Sequence, residues 1–274
     1  MKFNPLTAIS PIDGRYRRKV ELLADYFSEF ALIKHRVRIE ILYLIELSHI
    51  KIIHPIKVKE KRFLNSLWNS FSLEDAAEVK EIEKEINHDV KAVEYFIKDK
   101  LKKTSLADLI PFVHFALTSE DINNLAYSLM VTDFMKGLYY PTLTTLINKI
   151  KILAKKNQEV VMLARTHGQP ASPTTLGKEL SVFVYRLKKQ KETFPKKMPG
   201  KLAGAVGNFN AHHIAYPEIN WLKFEKDFVD KLSLEPWLVV TQIEPHDRLC
   251  ELFHVLSRIN NILLDFVKDV CYIG

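Results

Sequence analysis

The chain has 274 residues, enough for one large domain or two modest ones. Hydrophobic residues at 47% and charged residues at 27% exclude wholesale disorder, and 8 glycines are too few for a glycine-rich β or dinucleotide-binding architecture. The net charge of +7 raises nucleic acid as a partner, but lysines alternate with glutamates, as in Val79–Glu85. That pattern is a solvated helix surface, so no nucleic-acid partner is expected.

The apolar runs are too short to span a bilayer, and the first residues lack a charged-then-apolar leader pattern. No membrane association is expected. The two cysteines, Cys250 and Cys271, fall in an apolar helical pattern, which predicts packing roles in a reducing cytoplasm.

In chain order, apolar residues at three- and four-residue steps predict helix from Val20 to Ile50, through Leu23, Phe27, Phe30, Ile33, Val37, Ile41 and Leu44. Ser72 and Asp75 form a capping-box entry to a charged helix that stops around Asn87–Asp89. A short amphipathic helix follows from Val90 to Leu101. A long helix is predicted from Glu120 toward Asn157, kinked at Pro141. Ser172-Pro173 reads as N-cap and first residue of a helix to about Thr193. Met198–Ala211 holds three of the eight glycines and is expected to be loop or short strands. A further helix covers Glu218–Leu232, and the last starts at Pro245 with Leu249, Leu252, Leu256, Ile259, Leu263, Phe266 and Val270 on one seam. The fold class is all-α. Shorter helices up to residue 110 and longer ones after it suggest a helical domain at 1–110 and a long-helix bundle from 111 to 274.

Metal ligation needs donors at fixed offsets, and neither H-E-x-x-H nor paired cysteines occurs, so no metal or other cofactor is expected. His35, His49, His54 and His254 have no special neighbours, while His212-His213 adjoins a Gly/Asn loop and is a candidate for lining a site. Three places crowd polar residues beyond what folding needs. Asn87-His88-Asp89-Val90-Lys91 lies at a helix boundary, where capping explains Asn87 or Asp89 but not His88 together with Lys91. His114 precedes Thr118-Ser119-Glu120-Asp121, where a hydroxyl could cap the next helix and its free N–H groups could hold an anion. Arg165-Thr166-His167-Gly168-Gln169-Pro170 sets a histidine in a tight loop, and imidazole suits proton transfer near neutral pH.

These segments, with Ser10–Tyr16, Gly204–His212 and Thr241–Asp247, resemble the bacterial-type adenylosuccinate lyases of the fumarase/aspartase superfamily, in order and over nearly the whole chain. The resemblance implies an all-helical homotetramer with sites shared among protomers. It also implies elimination of fumarate from adenylosuccinate and from the succinylated carboxamide ribotide of purine synthesis. Carried over by position, His167 is the general acid and His88 supports it. Arg15, Tyr16, Asn87, Asp89, Thr118, Ser119 and Gln242 bind substrate, with Lys91 and His114 lining the site.

The family's base is a serine in the pattern Ser-Ser-x-Met-Pro-x-Lys-x-Asn-Pro, which these residues do not contain; Lys197-Met198-Pro199 lacks the serines. Val270–Gly274 departs from the family's continuation, so the expectation is a chain lacking the base, the remaining bundle helices and the C-terminal domain, and inactive by itself. The other readings are a second superfamily activity such as argininosuccinate lyase, against which Asp13–Tyr16 and Asn87–Asp89 weigh, or a non-catalytic helical protein that binds nucleotide or co-assembles.

Overall fold

A computed structural model describes residues 5–273. Gly274, the end of the segment expected to depart from the family, lies outside them. Short helices α1 (Arg17–Val20) and α2 (Ala24–Phe27) lead to α3 (Glu29–His49), α4 (Val58–Asn69), α5 (Leu73–Ile86), α6 (Asp89–Leu101) and α7 (Ser119–Phe134). Next come α8 (Tyr140–Lys156), β1 (Val161–Thr166), β2 (Gln169–Thr175) and α9 (Leu176–Glu192). The chain closes with β3 (Pro199–Gly200), α10 (Asn210–Ala215), α11 (Trp221–Lys231), β4 (Glu235–Pro236) and α12 (Asp247–Ile273). The all-α class holds, with two small strand pairings inserted.

The chain forms two compact units, Met1–Phe134 with Lys197–Pro245, and Met135–Lys196 with His246–Gly274. Unit one is built around α3, whose apolar residues point in every direction: Ile33, Val37, Ile39, Ile41, Tyr43, Leu44 and Leu47 are all buried. A helix apolar all round has to be wrapped, and α3 packs on α4, α5, α6 and α7. Ser28 starts it, its hydroxyl accepting the Ala31 N–H at 3.2 Å. The predicted capping box is present, with Ser72 Oγ accepting from Asp75 N at 3.2 Å and Asp75 Oδ2 accepting from Ser72 N at 3.0 Å. Asn87 ends α5 in the left-handed region at φ 54°.

The predicted long helix from Glu120 is interrupted. A π-helical turn at Met135–Tyr139 follows α7, and Pro141 sits in the first turn of α8. The proline ring would collide with the carbonyl of Gly137 in a regular helix, and the wider turn contains that residue.

In unit two the segment around His167 is a β-hairpin, not a loop: β1 and β2 pair antiparallel, with Thr166 opposite Gln169. His167 and Gly168 are the two turn residues, at φ 51° and 75°, the sign pattern of a type I′ turn. Ser172 and Pro173 therefore lie in β2, with Pro173 opposite Leu163, and do not begin the helix. Thr175 caps α9, accepting from Lys178 N at 3.2 Å. Proline is tolerated in this two-stranded ribbon because each strand has a free edge.

Gly177 lets α9 approach the end of α8. A β-carbon there would lie 2.5 Å from both Ala154 O and Gln158 Cα, backbone that cannot yield cheaply. Gly177→Ala is expected to destabilise unit two by about 1–3 kcal/mol, read by urea unfolding followed by circular dichroism. Unchanged stability would contradict the close approach.

The α12 seam is rotated from the one predicted: Leu252, Val255, Ile259 and Ile262 are buried, a strict three-four alternation, while Val270 is exposed. Phe266 meets Phe183 of α9 edge-on at 5.3 Å. Cys250 and Cys271 are free and exposed, so the expected packing roles are not found. They lie off the stripe that α9 covers.

Candidate active site

Two charged residues one turn apart on α3 hold much of the candidate site. Arg36 and Glu40 are both buried, at 5% and 1% exposure, on an otherwise apolar helix. Arg36 donates from Nη2 to Asp89 Oδ2 at 2.6 Å and from Nε to Asn123 Oδ1 at 2.9 Å, tying α6 and α7 to α3. Burial pushes the Asp89 carboxyl up, but the Arg36 charge and the Val90 N–H outweigh it and hold it below the ordinary range. Glu40 Oε1 lies 2.5 Å from His114 Nδ1.

His88 itself caps α6: its Nδ1 accepts the Lys91 N–H at 3.2 Å. That bond sets the tautomer, since an accepting Nδ1 leaves the proton of the neutral ring on Nε2. Capping thus explains His88, contrary to the expectation that it would explain only its neighbours. Asn87 and His88 are exposed and Asp89 is partly so. The Lys91 ammonium is 2.8 Å from Glu94 Oε2, and Glu94, only 3% exposed, also pairs with Lys98.

At the start of α7 the anticipated hydroxyl cap is reversed. Thr118 donates from N and Oγ1 to Asp121 Oδ2, at 2.7 and 3.0 Å. Asp121 is sealed from solvent, and its Oδ1 accepts from Lys201 Nζ at 2.8 Å, Ala203 N at 3.1 Å and Gly204 N at 3.3 Å. Ser119 is the first residue of α7. Glu244 N donates to Glu120 Oε1 at 3.4 Å, which draws the loop bearing Gln242 toward the same helix end. Gln242 is exposed. Arg15 and Tyr16 lie on the exposed N-terminal segment, the guanidinium 5.6 Å from the Tyr16 ring centre. Unit one thus links the segments of Asn87–Lys91, His114, Thr118–Ser119 and Gln242 through buried charges. His167 belongs to unit two, exposed at the hairpin tip. Among the described residues, no three His, Cys, Asp or Glu side chains are grouped to hold a metal ion.

Of the buried polar core beneath this cluster, sequence reasoning named only His212, as a candidate for lining a site, and the structure buries it to 1% exposure. Tyr43 donates to Phe115 O at 3.0 Å, and its hydroxyl is 3.2 Å from His212 Nε2. With the hydroxyl proton committed, the phenol oxygen accepts from His212 Nε2–H, leaving Nδ1 buried without a partner. Burial pushes His212 down to about 4, against the opposing pull of Asp121. Glu225 accepts the Leu202 N–H at 2.7 Å, and burial pushes its carboxyl up to about 7. The available signal was Arg36 and Glu40, opposite charges four apart inside an apolar run.

A family model described as Lyase matches residues 28–274. The chain belongs to this lyase family. It is 46% identical to the adenylosuccinate lyase of Legionella pneumophila over 98% of this chain and 60% of that protein. The Haemophilus influenzae adenylosuccinate lyase is also 46% identical, and the Escherichia coli K12 enzyme 45%, with the same coverage. The lyase chain therefore spans 60% of the length of the curated relatives it matches. Among solved structures, a fumarate lyase from Mesorhizobium sp. BNC1 superposes with a TM-score of 0.76 at 17% identity, covering 92% of this chain and 56% of that one. A β-carboxy-cis,cis-muconate cycloisomerase from Acinetobacter calcoaceticus gives 0.74 at 19%, covering 92% and 57%. These two likenesses establish the fold.

Proposed function

We propose that the chain serves an adenylosuccinate lyase, a carbon–nitrogen lyase that eliminates fumarate from adenylosuccinate to give AMP and from the succinylated carboxamide ribotide of purine synthesis. The observation that carries this reading is the joining of Asp89, His114 and Thr118 to one buried frame of Arg36, Glu40 and Asp121. The activity for which the relatives are named supplies the substrate class.

Elimination needs a base to take a proton beside a carboxylate, and the family draws that base from a Ser-Ser-x-Met-Pro loop that these residues do not contain. Negative charge builds on the carboxylate, and the C–N bond then breaks toward the purine amine. His167 gives the departing nitrogen its proton, while His88, with Nε2–H free to donate, supports it and holds substrate. Arg15, Tyr16, Asn87, Asp89, Thr118, Ser119 and Gln242 bind the nucleotide, and Lys91 and His114 line the site.

The wider reading comprises an N-terminal helical domain at 1–110, the first part of a long-helix bundle at 111–274, and a cytoplasmic homotetramer. Among the described residues, no helix is long and apolar enough to cross a membrane. Phe253, Leu264 and Val267 of α12 are 55–59% exposed, an apolar face suited to burial by other copies. The reading is tested by calorimetric titration of the chain with AMP at neutral pH. His88→Ala and Asp89→Asn are each expected to weaken binding about tenfold. Absence of AMP binding, or affinity unchanged in both variants, would overturn it.

A further inference from the structure

The Glu40–His114 pair stands out from the other ion pairs of unit one. Both partners are largely shielded, with side-chain exposures of 0% and 15%. Glu40 reaches His114 from the middle of α3, and its second oxygen, Oε2, is buried with no hydrogen-bond partner. A buried carboxylate satisfied on one oxygen only gains more from a cation than from a neutral donor. His114 is held there against a backbone cost: it lies at φ 63°, and Ala116 two residues on at φ 57°, both left-handed and neither glycine. Tyr43 clamps the intervening Phe115 carbonyl. Nδ1 is committed to Glu40, so Nε2 is the nitrogen through which the ring can address a ligand.

We infer that Glu40 is a positioning residue that keeps His114 as an imidazolium, making its Nε2–H a charged donor to an anionic group, carboxylate or phosphate, of the substrate. On this assignment His114 binds charge and does not shuttle protons. The inference deepens the proposed lyase reading and rests on it for the identity of the substrate.

The surroundings agree. Burial of the ring works against its charge, but Glu40, then Glu94 of α6 and Asp121 of α7, overcome that and hold His114 above the ordinary imidazole range. The nearby cations are already engaged: Arg36 with Asp89, Lys91 and Lys98 with Glu94, and Lys201 with Asp121. Glu40 pairs instead with His114.

The test uses the whole 274-residue chain with 15N-labelled histidine, His114 being assigned by loss of its signals in His114→Gln. Both ring nitrogens are expected to carry protons at neutral pH, and Glu40→Gln should lower the titration midpoint by about one pH unit or more. Fumarate and inorganic phosphate serve separately as probes, which tells carboxylate recognition from phosphate recognition. His114→Gln and Glu40→Gln should each weaken the bound anion about tenfold, and Glu40→Gln should add no further loss in the His114→Gln background.

A midpoint unmoved by Glu40→Gln, a neutral His114 in the wild type, or anion affinity indifferent to His114 would each overturn the proposal. If Glu40→Gln alone does not fold, the Glu40→Gln/His114→Gln pair removes both charges, and the wild-type ring spectrum still decides. Adenylosuccinate binding that leaves His114 unaffected would remove this inference and spare the lyase reading. Anion binding through His114 without AMP binding would do the reverse.

Discussion

Asp121→Ala is expected to cost unit one about 3–5 kcal/mol, more than any other single substitution named for this chain. The carboxylate is fully buried, and so is the Lys201 ammonium 2.8 Å away. Truncation strands that ammonium in a low-dielectric interior and orphans the N–H groups of Thr118, Ala203 and Gly204. Lys201→Met is expected to cost less, because Asp121 keeps those backbone donors and the Thr118 hydroxyl. Asp121→Ala/Lys201→Met should recover part of the first loss, since no charge is left unpaired. Trp68, Trp221 and Trp237 all lie in unit one, so urea unfolding followed by tryptophan fluorescence reads the effect directly. A larger loss in Lys201→Met than in Asp121→Ala would contradict the assigned roles.

The second large effect is a pH dependence concealed by compensation. Burial first, with the Asp121 charge assisting, raises Glu225 from its ordinary 4.5 to about 7, although the Leu202 N–H and Lys201 pull the other way. The folded state therefore holds this proton more tightly than the unfolded chain. Its contribution favours folding at acid pH and is lost as pH rises from 4.5 through about 7, by about 3 kcal/mol in all. His212 has the opposite sign: its folded value of about 4 lies below the ordinary 6.5, so stability falls as pH drops through that interval. The two slopes largely cancel in the wild type. Glu225→Gln keeps an acceptor for Leu202 and removes one of them. Relative to wild type, it should gain about 3 kcal/mol of stability between pH 4.5 and pH above 7, with a steep acid loss from His212 unmasked. Parallel stability–pH curves for the two proteins would sink the assignment.

These effects also mark how far the residues could be read in order. Helix ends governed by neighbours were legible: the Ser72/Asp75 box and the Asn87 stop depend on contacts three or four residues apart. The His167 hairpin was misread because Ser172-Pro173 satisfies the local grammar of a helix start, while pairing with Leu163 across the turn decides otherwise. Asp121 and Lys201 were not legible as a buried pair, and Arg36 and Glu40 showed only as opposite charges inside an apolar run, because charged residues are ordinarily solvated. Their burial depends on pairings 53 to 80 residues apart in sequence, such as Arg36 with Asp89 and Lys201 with Asp121. Motif resemblance identified the segments that carry the proposed ligands, but not the charges that hold them. Those charges follow from packing around α3 and α7.

If this frame presents a site for a succinylated nucleotide, parallel calorimetric titrations of the chain with adenylosuccinate and argininosuccinate will show it. The expected result is saturable adenylosuccinate binding, competed by AMP and weakened by His88→Ala, with no heat of binding from argininosuccinate. Binding of argininosuccinate in preference, or of neither compound, would contradict the proposed site.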